Sequence, residues 1–193
     1  MKSVAILYIA IGKYDCFWDD FFSSSETFFL TDVLKVYYVF SDSKHIKQTH
    51  QVNVIPVKDE GWPRNTLNRF FFFDSISSKL LNHDYCFFFN ANTKFLKPVI
   101  QEEVIPTDGQ SNLVNLSWHN KTENIHAVLR YERNPASKAY IPQSEGSIYY
   151  QGGFFGGRTK EFLAMKDSIL SQIKEDDEYG IIILLFRKAL IGG

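Results

Sequence analysis

Two asparagines behind a run of aromatic residues suggest a site for a polar ligand. Phe87 to Phe89 reads as the end of a buried strand, and Asn90 and Asn92 follow it with Ala91 between them. Amide N–H groups can donate hydrogen bonds to phosphate or sugar oxygens, whereas neutral amide carbonyls are weak ligands for Mg²⁺ or Mn²⁺. An asparagine turn after a strand is the simpler interpretation of the same residues.

Two arginines and a tyrosine also suit a polar ligand that carries phosphate and sugar groups. Arg64 and Arg69 lie around the predicted start of a helix, and a guanidinium fork suits pyrophosphate or sugar hydroxyls. Tyr14 follows the first predicted strand and carries a flat ring and a hydroxyl, which suit a base and a ribose. The alternatives are a solvated surface charge for each arginine and a core position for the tyrosine.

Strands that alternate with helices would bring these residues together. Strands are predicted at Val4–Ile11, Val33–Phe40, Val52–Val57, Asp84–Phe89, Leu113–Leu116 and Ile148–Phe155, and helical stretches at Phe17–Leu30, Leu67–Leu81 and Thr159–Lys174. Asn65 or Thr66 is predicted to cap the second helix, and Pro56 predicts an edge position or a strand end. The pattern favours an α/β fold with a mostly parallel sheet. Because ligands bind beyond the carboxyl ends of such strands, the loops Gly12–Tyr14 and Asn90–Asn92 are expected to share one cleft.

Composition and charge exclude several classes of protein. The chain has 193 residues, a net charge of −1, 45% hydrophobic residues and 22% charged residues, which is ordinary for one globular domain. Near-neutral charge gives no reason to expect nucleic acid as a partner. With only two cysteines and scattered histidines no zinc pattern is present, and Cys16 and Cys86 are expected to be separate thiols.

The apolar start of the chain is interpreted as a strand and not as a targeting segment. Lys2 precedes a short apolar run, but no small-x-small cleavage pattern follows it, and charged residues begin at Lys13. No stretch reaches the roughly 20 apolar residues of a membrane span. These features predict a cytoplasmic protein without a membrane anchor, and a bacterial origin fits them.

The densest motif in the chain is the segment Tyr131–Gly157, YERNPASKAYIPQSEGSIYYQGGFFGG. It resembles glycosyltransferase family 6, the family of the histo-blood-group A and B transferases and the α-1,3-galactosyltransferases. The likeness continues upstream in Ala10-Ile11 with Lys13-Tyr14, in the segment Tyr37–Asp42, and in Trp62 and Arg69. It covers about residues 4 to 181. A dehydrogenase is disfavoured because no G-x-G-x-x-G follows the first strand.

The resemblance implies a GT-A glycosyltransferase fold and retaining transfer from a UDP-sugar, in α-1,3 linkage, to a galactose-type acceptor. The donor-binding residues that it implies, together with the arginine and asparagine candidates above, are Ile9, Ala10, Ile11, Tyr14, Arg64, Arg69, Asn90, Ala91, Asn92, Gln151, Gly152 and Gly153. Trp118 and His119 fall where the family keeps a histidine for the acceptor galactose.

Asn-x-Asn stands where the mammalian members have a metal-binding Asp-x-Asp, and it resembles the variant of bacterial members that work without metal. We therefore expect no metal and no cofactor, with the diphosphate charge met by Arg69 and by Lys94. Gly152-Gly153 resembles the pattern of members that use UDP-GalNAc, because small residues leave room for an N-acetyl group. One methyl group shifts such a preference by only about 1–3 kcal/mol, so UDP-Gal remains an alternative donor.

The chain departs from the family after about residue 181. The family continues there with a segment that holds a glutamate, whose charge stabilises the developing positive charge at C1. Here the chain reads IIILLFRKALIGG, and Arg187 and Lys188 stand near the expected position. We expect one catalytic domain over residues 1–193, truncated or altered after about 181, with an unknown catalytic residue, weak donor binding and poor transfer. Normal turnover by protein of verified mass would contradict this expectation.

Three functions compete at this point. The first is metal-independent transfer of GalNAc from UDP-GalNAc to a galactoside, which the resemblance to the A-type members implies to be fucosylated. The second is the same reaction with UDP-Gal. The third is an inactive relative that binds carbohydrate or UDP-sugar, which the missing glutamate favours.

Overall fold

The computed structural model describes residues 2–61, 64–107, 112–118, 131–143, 145 and 149–181. Within these residues the chain forms a six-stranded sheet in the order β3-β2-β1-β4-β6-β5. The neighbours β3, β2, β1 and β4 run parallel, whereas β6 is antiparallel to both β4 and β5. The predicted α/β class with a mostly parallel sheet is confirmed.

The parallel part of the sheet follows the sequence prediction closely. Strand β1 spans Ser3–Ala10, β2 spans Leu34–Ser41, β3 spans Val52–Pro56 and β4 spans Tyr85–Phe89. A 3₁₀ helix, Gly12–Phe17, and helix α1, Trp18–Phe28, connect β1 to β2. Strand β3 ends at Pro56 on the edge of the sheet. Proline has no N–H, and at an edge strand no hydrogen bond of the sheet depends on it.

The predicted helix over Leu67–Leu81 is wrong as one element. The chain forms three short helices instead: α2 spans Arg64–Leu67, α3 spans Arg69–Asp74 and α4 spans Ser77–Leu80. Ile76 leaves the helical region with φ −122° and ψ 14°, and asparagine and serine between the segments are weak helix formers.

Neither Asn65 nor Thr66 caps the helix, because α2 already begins at Arg64. The Asn65 amide is instead bonded to the preceding loop. Its Nδ2 donates to Asp59 Oδ1 at 2.8 Å, and its Oδ1 accepts from the Glu60 N–H at 3.0 Å.

The antiparallel part is longer than predicted. Strand β5 spans Leu113–Trp118 and β6 spans Tyr149–Arg158, with the short helix α5, Gln101–Val104, before them. Helix α6 spans Thr159–Glu178. Gly156 allows β6 to approach β4 closely, since a Cβ atom there would lie 2.3 Å from the carbonyl oxygen of Cys86.

Aromatic side chains fill a separate core on each face of the sheet. On one face Tyr8 and Phe89 pack against Phe21 of α1. On the other face Phe88 and Phe155 pack against Phe73 of α3 and beneath α6. Successive strand residues point to opposite faces, so the run Phe87–Phe89 contributes to both cores.

Neither cysteine forms a disulfide bond in this structure. Cys16 is exposed and Cys86 is buried, and both are free thiols, as expected. Among the described residues no helix is long and apolar enough to cross a membrane.

Candidate donor-binding cleft

A cleft of about 550 Å³ opens at the carboxyl ends of β1 and β4. The loops that follow these two strands both line it, as the parallel-sheet pattern predicts. The lining residues are Ile9, Ile11, Gly12, Lys13, Tyr14, Asp59, Gly61, Asn65, Thr66, Arg69, Phe88, Asn90, Ala91 and Asn92.

The loop after β1 forms one wall of the cleft. Gly12 adopts φ +60°, a conformation that favours glycine, and its N–H donates to Asp42 Oδ1 at 2.9 Å. Tyr14 is 54% exposed, so its ring is accessible to a ligand. Ala10 is fully buried behind this wall, and its carbonyl accepts from Ser41 Oγ at 2.5 Å. Ala10 therefore supports the wall and does not line it.

The loop after β4 is fixed by three hydrogen bonds. The buried hydroxyl of Tyr8 donates to the carbonyl of Ala91 at 2.7 Å. The Asn90 N–H donates to the carbonyl of Gly153 at 2.8 Å, and the Thr93 N–H donates to the carbonyl of Asn90 at 3.1 Å. These bonds fix the backbone of the Asn90–Asn92 loop, and the fixed backbone positions the two amide side chains at the cleft.

Arg69 is the most unusual charge on the lining. Its Nη1 donates to the carbonyl of Gly152 at 2.8 Å, and its Cζ lies 4.7 Å from the centroid of the Phe88 ring. Its Nε is buried and has no hydrogen-bond partner, and no carboxylate among the described residues pairs with it. Burial lowers the pKa of Arg69 to about 10, so the guanidinium is still charged at neutral pH.

A large bulge in β6 brings the two glycines to this arginine. The pairs Asn115–Phe155 and Ser117–Tyr150 flank the bulge. Between them β5 contributes Leu116 alone, whereas β6 contributes Gln151, Gly152, Gly153 and Phe154. These additional residues of β6 lie beside the carboxyl end of β4. A Cβ atom on Gly152 would lie 3.5 Å from Arg69 Nη1, and one on Gly153 would lie 3.2 Å from Asn90 Nδ2.

Several predicted site residues lie elsewhere. Arg64 is exposed at the start of α2 and is not on the lining. Lys94 is exposed and pairs with Asp20 at 2.9 Å, so Lys13 is the second cation of the cleft in its place. Trp118 pairs through its backbone with Tyr149.

His119, Trp62 and the divergent residues 182–193 lie outside the described part of the chain. Gln151 belongs to β6 through its backbone. In the described ranges no group of three His, Cys, Asp or Glu side chains is arranged to hold a metal ion. Metal-independent donor binding stays a prediction.

Sequence reasoning missed two lining residues with evident chemistry. Phe88 belongs to a strand that is buried throughout, and only the position of α3 reveals that its ring carries Arg69. Asp59 follows β3 in a polar segment without a recognisable motif, and the turn of the chain at Gly61 brings it to the cleft.

Part of the segment that carries the strongest resemblance has a structural role. The carboxylate of Asp176 is fully buried near the end of α6 and accepts from Ser137 Oγ at 2.7 Å and from the Lys138 N–H at 2.8 Å. Arg133 donates to the carbonyls of Ile141 and Pro142 at 2.6 and 2.7 Å. These contacts fold the Tyr131–Pro142 segment and attach it to α6.

Comparison with known proteins shows the family of the chain. The model of Glycosyltransferase family 6 matches residues 2–186. The O-antigen biosynthesis glycosyltransferase WbnI of Escherichia coli is 36% identical over 161 residues, which are 82% of this chain and 67% of that protein.

Mammalian proteins match over almost the whole chain. Histo-blood group ABO system transferase 1 of Rattus norvegicus is 28% identical over 93% of this chain and 52% of its own length. Human globoside alpha-1,3-N-acetylgalactosaminyltransferase 1 is 26% identical over 93% of this chain and 53% of its own length. The chain thus spans about half of the length of these two relatives. With the family match over residues 2–186, these findings show that the chain belongs to glycosyltransferase family 6.

Proposed function

We propose that the protein transfers GalNAc from UDP-GalNAc to a galactoside, with retention and in α-1,3 linkage, without a metal ion. The observation that carries the proposal is the uncompensated guanidinium of Arg69, which contacts Gly152 and lines the same cleft as Asn90. Arg69 is partly buried, and its Nε is buried without a hydrogen-bond partner. Shielding a cation from water without an anion is costly, and a bound diphosphate would supply the missing charge. The relatives named for blood-group and globoside glycans support a glycan acceptor. A galactose-type, fucosylated acceptor is the one that the family resemblance implies.

The asparagines support binding without metal. Two carboxylates at the end of β4 would repel a diphosphate unless a cation lay between them. Asn90 and Asn92 carry no charge, and their N–H groups can donate to phosphate or sugar oxygens. Arg69 and Lys13, which line the same cleft, supply the positive charge.

The first test is a calorimetric titration of protein of verified mass with UDP-GalNAc, once with chelator and once with Mn²⁺. We expect equal affinity in the two buffers. Affinity that requires Mn²⁺ would contradict the role assigned to Asn90 and Asn92. Absence of binding in both buffers would contradict the proposed function.

The second test separates GalNAc from Gal. Transfer to a fucosylated galactoside is measured with UDP-GalNAc and UDP-Gal in competition, and the anomeric configuration of the product is read by NMR. We expect GalNAc in α linkage. Gly152→Ala places a methyl in ordinary contact with Arg69, so the fold tolerates it, and it should shift the preference toward UDP-Gal by about 10-fold. An unchanged preference would mean that Gly152 serves the bulge alone.

A further inference from the structure

Asp59 is a cleft residue to which neither the motifs nor the family resemblance assigns a role. It follows β3, and its Oδ1 accepts from the Gly61 N–H and from Asn65 Nδ2, both at 2.8 Å. These bonds from Asn65 and Gly61 lower the pKa of the carboxyl below its ordinary value. The carboxylate is therefore ionised at neutral pH and fixed in position by one of its two oxygens.

The second oxygen of Asp59 faces the wall formed by the loop after β1. A Cβ atom built on Gly12 would lie 3.2 Å from Asp59 Oδ2, so the absence of a side chain at Gly12 leaves space in front of this oxygen. Among the described residues Oδ2 accepts no hydrogen bond, although Asp59 lines the cleft and is exposed. Asp59 Oδ2 is thus available to a ligand that enters between the loop after β1 and the segment after β3.

The charges of the cleft are separated. Arg69 contacts Gly152 and Phe88, whereas Asp59 contacts Gly61 and Asn65 and faces Gly12. The two sets share no residue, and the two side chains form no ion pair. A carboxylate accepts hydrogen bonds only, so it repels phosphate and requires a ligand group that donates.

We propose that Asp59 is a specificity residue that accepts a hydrogen bond from the uridine part of the donor, either from a ribose hydroxyl or from the uracil N3–H. The inference deepens the proposed function and rests on it. In the UDP-sugar the ribose hydroxyls and N3–H are donor groups on the nucleoside side, where a carboxylate does not meet the diphosphate. Tyr14 lines the same cleft and offers a ring on which a base can stack.

The test is a calorimetric comparison of wild type with Asp59→Asn. Asparagine keeps an oxygen for the Gly61 N–H but replaces the free carboxylate oxygen by a donating NH₂ group. The ligands are UDP, 2′-deoxy-UDP, 3′-deoxy-UDP, N3-methyl-UDP and CDP. The matched control is Asp177→Asn, which makes the same charge change at an exposed residue outside the cleft.

We expect Asp59→Asn to weaken UDP binding by about 10-fold, since a hydrogen bond to a charged group is lost, and Asp177→Asn to leave it unchanged. The analogue that lacks the contacted donor group should bind to wild type and to Asp59→Asn with equal affinity. Equality for a deoxy analogue assigns the contact to that ribose hydroxyl. Equality for N3-methyl-UDP, together with relatively tighter CDP binding by Asp59→Asn, assigns it to uracil.

Other outcomes overturn the inference. If Asp59→Asn binds UDP as tightly as wild type does, Asp59 only holds the loop. If it weakens UDP and every analogue by the same factor, the effect is a displaced loop and not a contact with uridine. The wild-type analogue series gives a second measurement that needs no variant, because one missing donor group must cost affinity. If wild type binds no UDP at all, the proposed function fails and the inference fails with it, whereas a failure of Asp59 alone leaves the function standing.

Discussion

Two cations in the described part of this protein are shielded from solvent in different ways: Lys35 is buried beside a carboxylate, whereas Arg69 is partly buried and has none. Lys35 is 4% exposed, and its Nζ donates to the carbonyls of Ser25 and Phe29 at the end of α1 and pairs with Glu26 at 3.1 Å. Arg69 has one carbonyl and one aromatic ring, and its Nε has no partner. The fold compensates the charge of Lys35 with a carboxylate, whereas the charge of Arg69 has none among the described residues, as the proposed diphosphate site requires.

Lys166 repeats the compensated arrangement on the opposite face of the sheet. It is 2% exposed on α6 and pairs with Asp74 of α3 and with its neighbour Asp167. Taking a cation out of water costs several kcal/mol unless an anion and hydrogen bonds replace the water. A cation kept without them in a cleft is therefore better explained by a missing ligand than by a contribution to stability.

The largest effect on affinity should come from Arg69→Met. We expect UDP affinity to fall by at least about 30-fold, because a charged hydrogen-bond donor is removed from the diphosphate. The thermal midpoint should stay equal or rise, because a partly buried charge without an anionic partner is removed. Titration and thermal unfolding of the same sample measure both quantities.

Arg64→Met sharpens this test, because the sequence assigned both arginines to the donor whereas the structure places Arg64 outside the cleft lining. We expect less than about a 3-fold change in UDP affinity for this exposed charge. An equal loss in both variants would restore the role of Arg64. A large fall in the midpoint of Arg69→Met would show that Arg69 stabilises the fold after all.

Lys35→Met should have the opposite signature. We expect a loss of about 3 kcal/mol in the free energy of unfolding, since Glu26 and the end of α1 lose their cation. For a chain of this length the midpoint should fall by about 6–12 °C, while the folded fraction binds UDP normally. Lys97→Met, at an exposed lysine, is the control for charge. Impaired UDP binding by folded Lys35→Met would contradict the purely structural role assigned to Lys35.

The smallest effect is a difference in acid stability. Burial raises the pKa of Glu26, but hydrogen bonds from Tyr37 and Gln51 and the charge of Lys35 outweigh it, so the pKa lies below its ordinary value. The stabilisation is present above the unfolded-state pKa and is lost as the pH falls through the folded-state pKa. In Glu26→Gln the free energy of unfolding should fall less steeply with pH between about pH 6 and pH 3, by less than about 1 kcal/mol in total, and thermal unfolding over this pH range measures it.

The contribution of Arg69 to UDP affinity should not change with pH in the acid range, unlike the contribution of Glu26 to stability. Arg69, with a pKa of about 10, stays charged over the whole acid range, so its charge adds no acid-side slope. If the stability of wild type and that of Glu26→Gln change with pH in the same way between about pH 6 and pH 3, the ionisation of Glu26 contributes no pH-dependent stability.

The sequence predicted the parallel strands better than the cleft wall made by α2 and α3. Continuous apolar runs such as Phe87–Phe89 mark buried strands, and the end of each strand marks the position of a loop. The break at Ile76 and the bond from Asn65 to Asp59 depend on contacts with other segments, which no local pattern contains. For the same reason Asn90 and Arg69 were identified from motifs, whereas Phe88 and Asp59 required the assembled fold.

The bulge of β6 also bears on how this enzyme family can vary. Paired residues on both sides, Phe155 with Asn115 and Tyr150 with Ser117, fix the strand independently of what lies between them. Under the proposed function, in which Gly152 and Gly153 face the donor sugar, a substitution there would change the sugar pocket without shifting the register of the sheet. Sugar preference would then be a detachable trait, which a small number of codon changes could redirect while the scaffold is inherited unchanged.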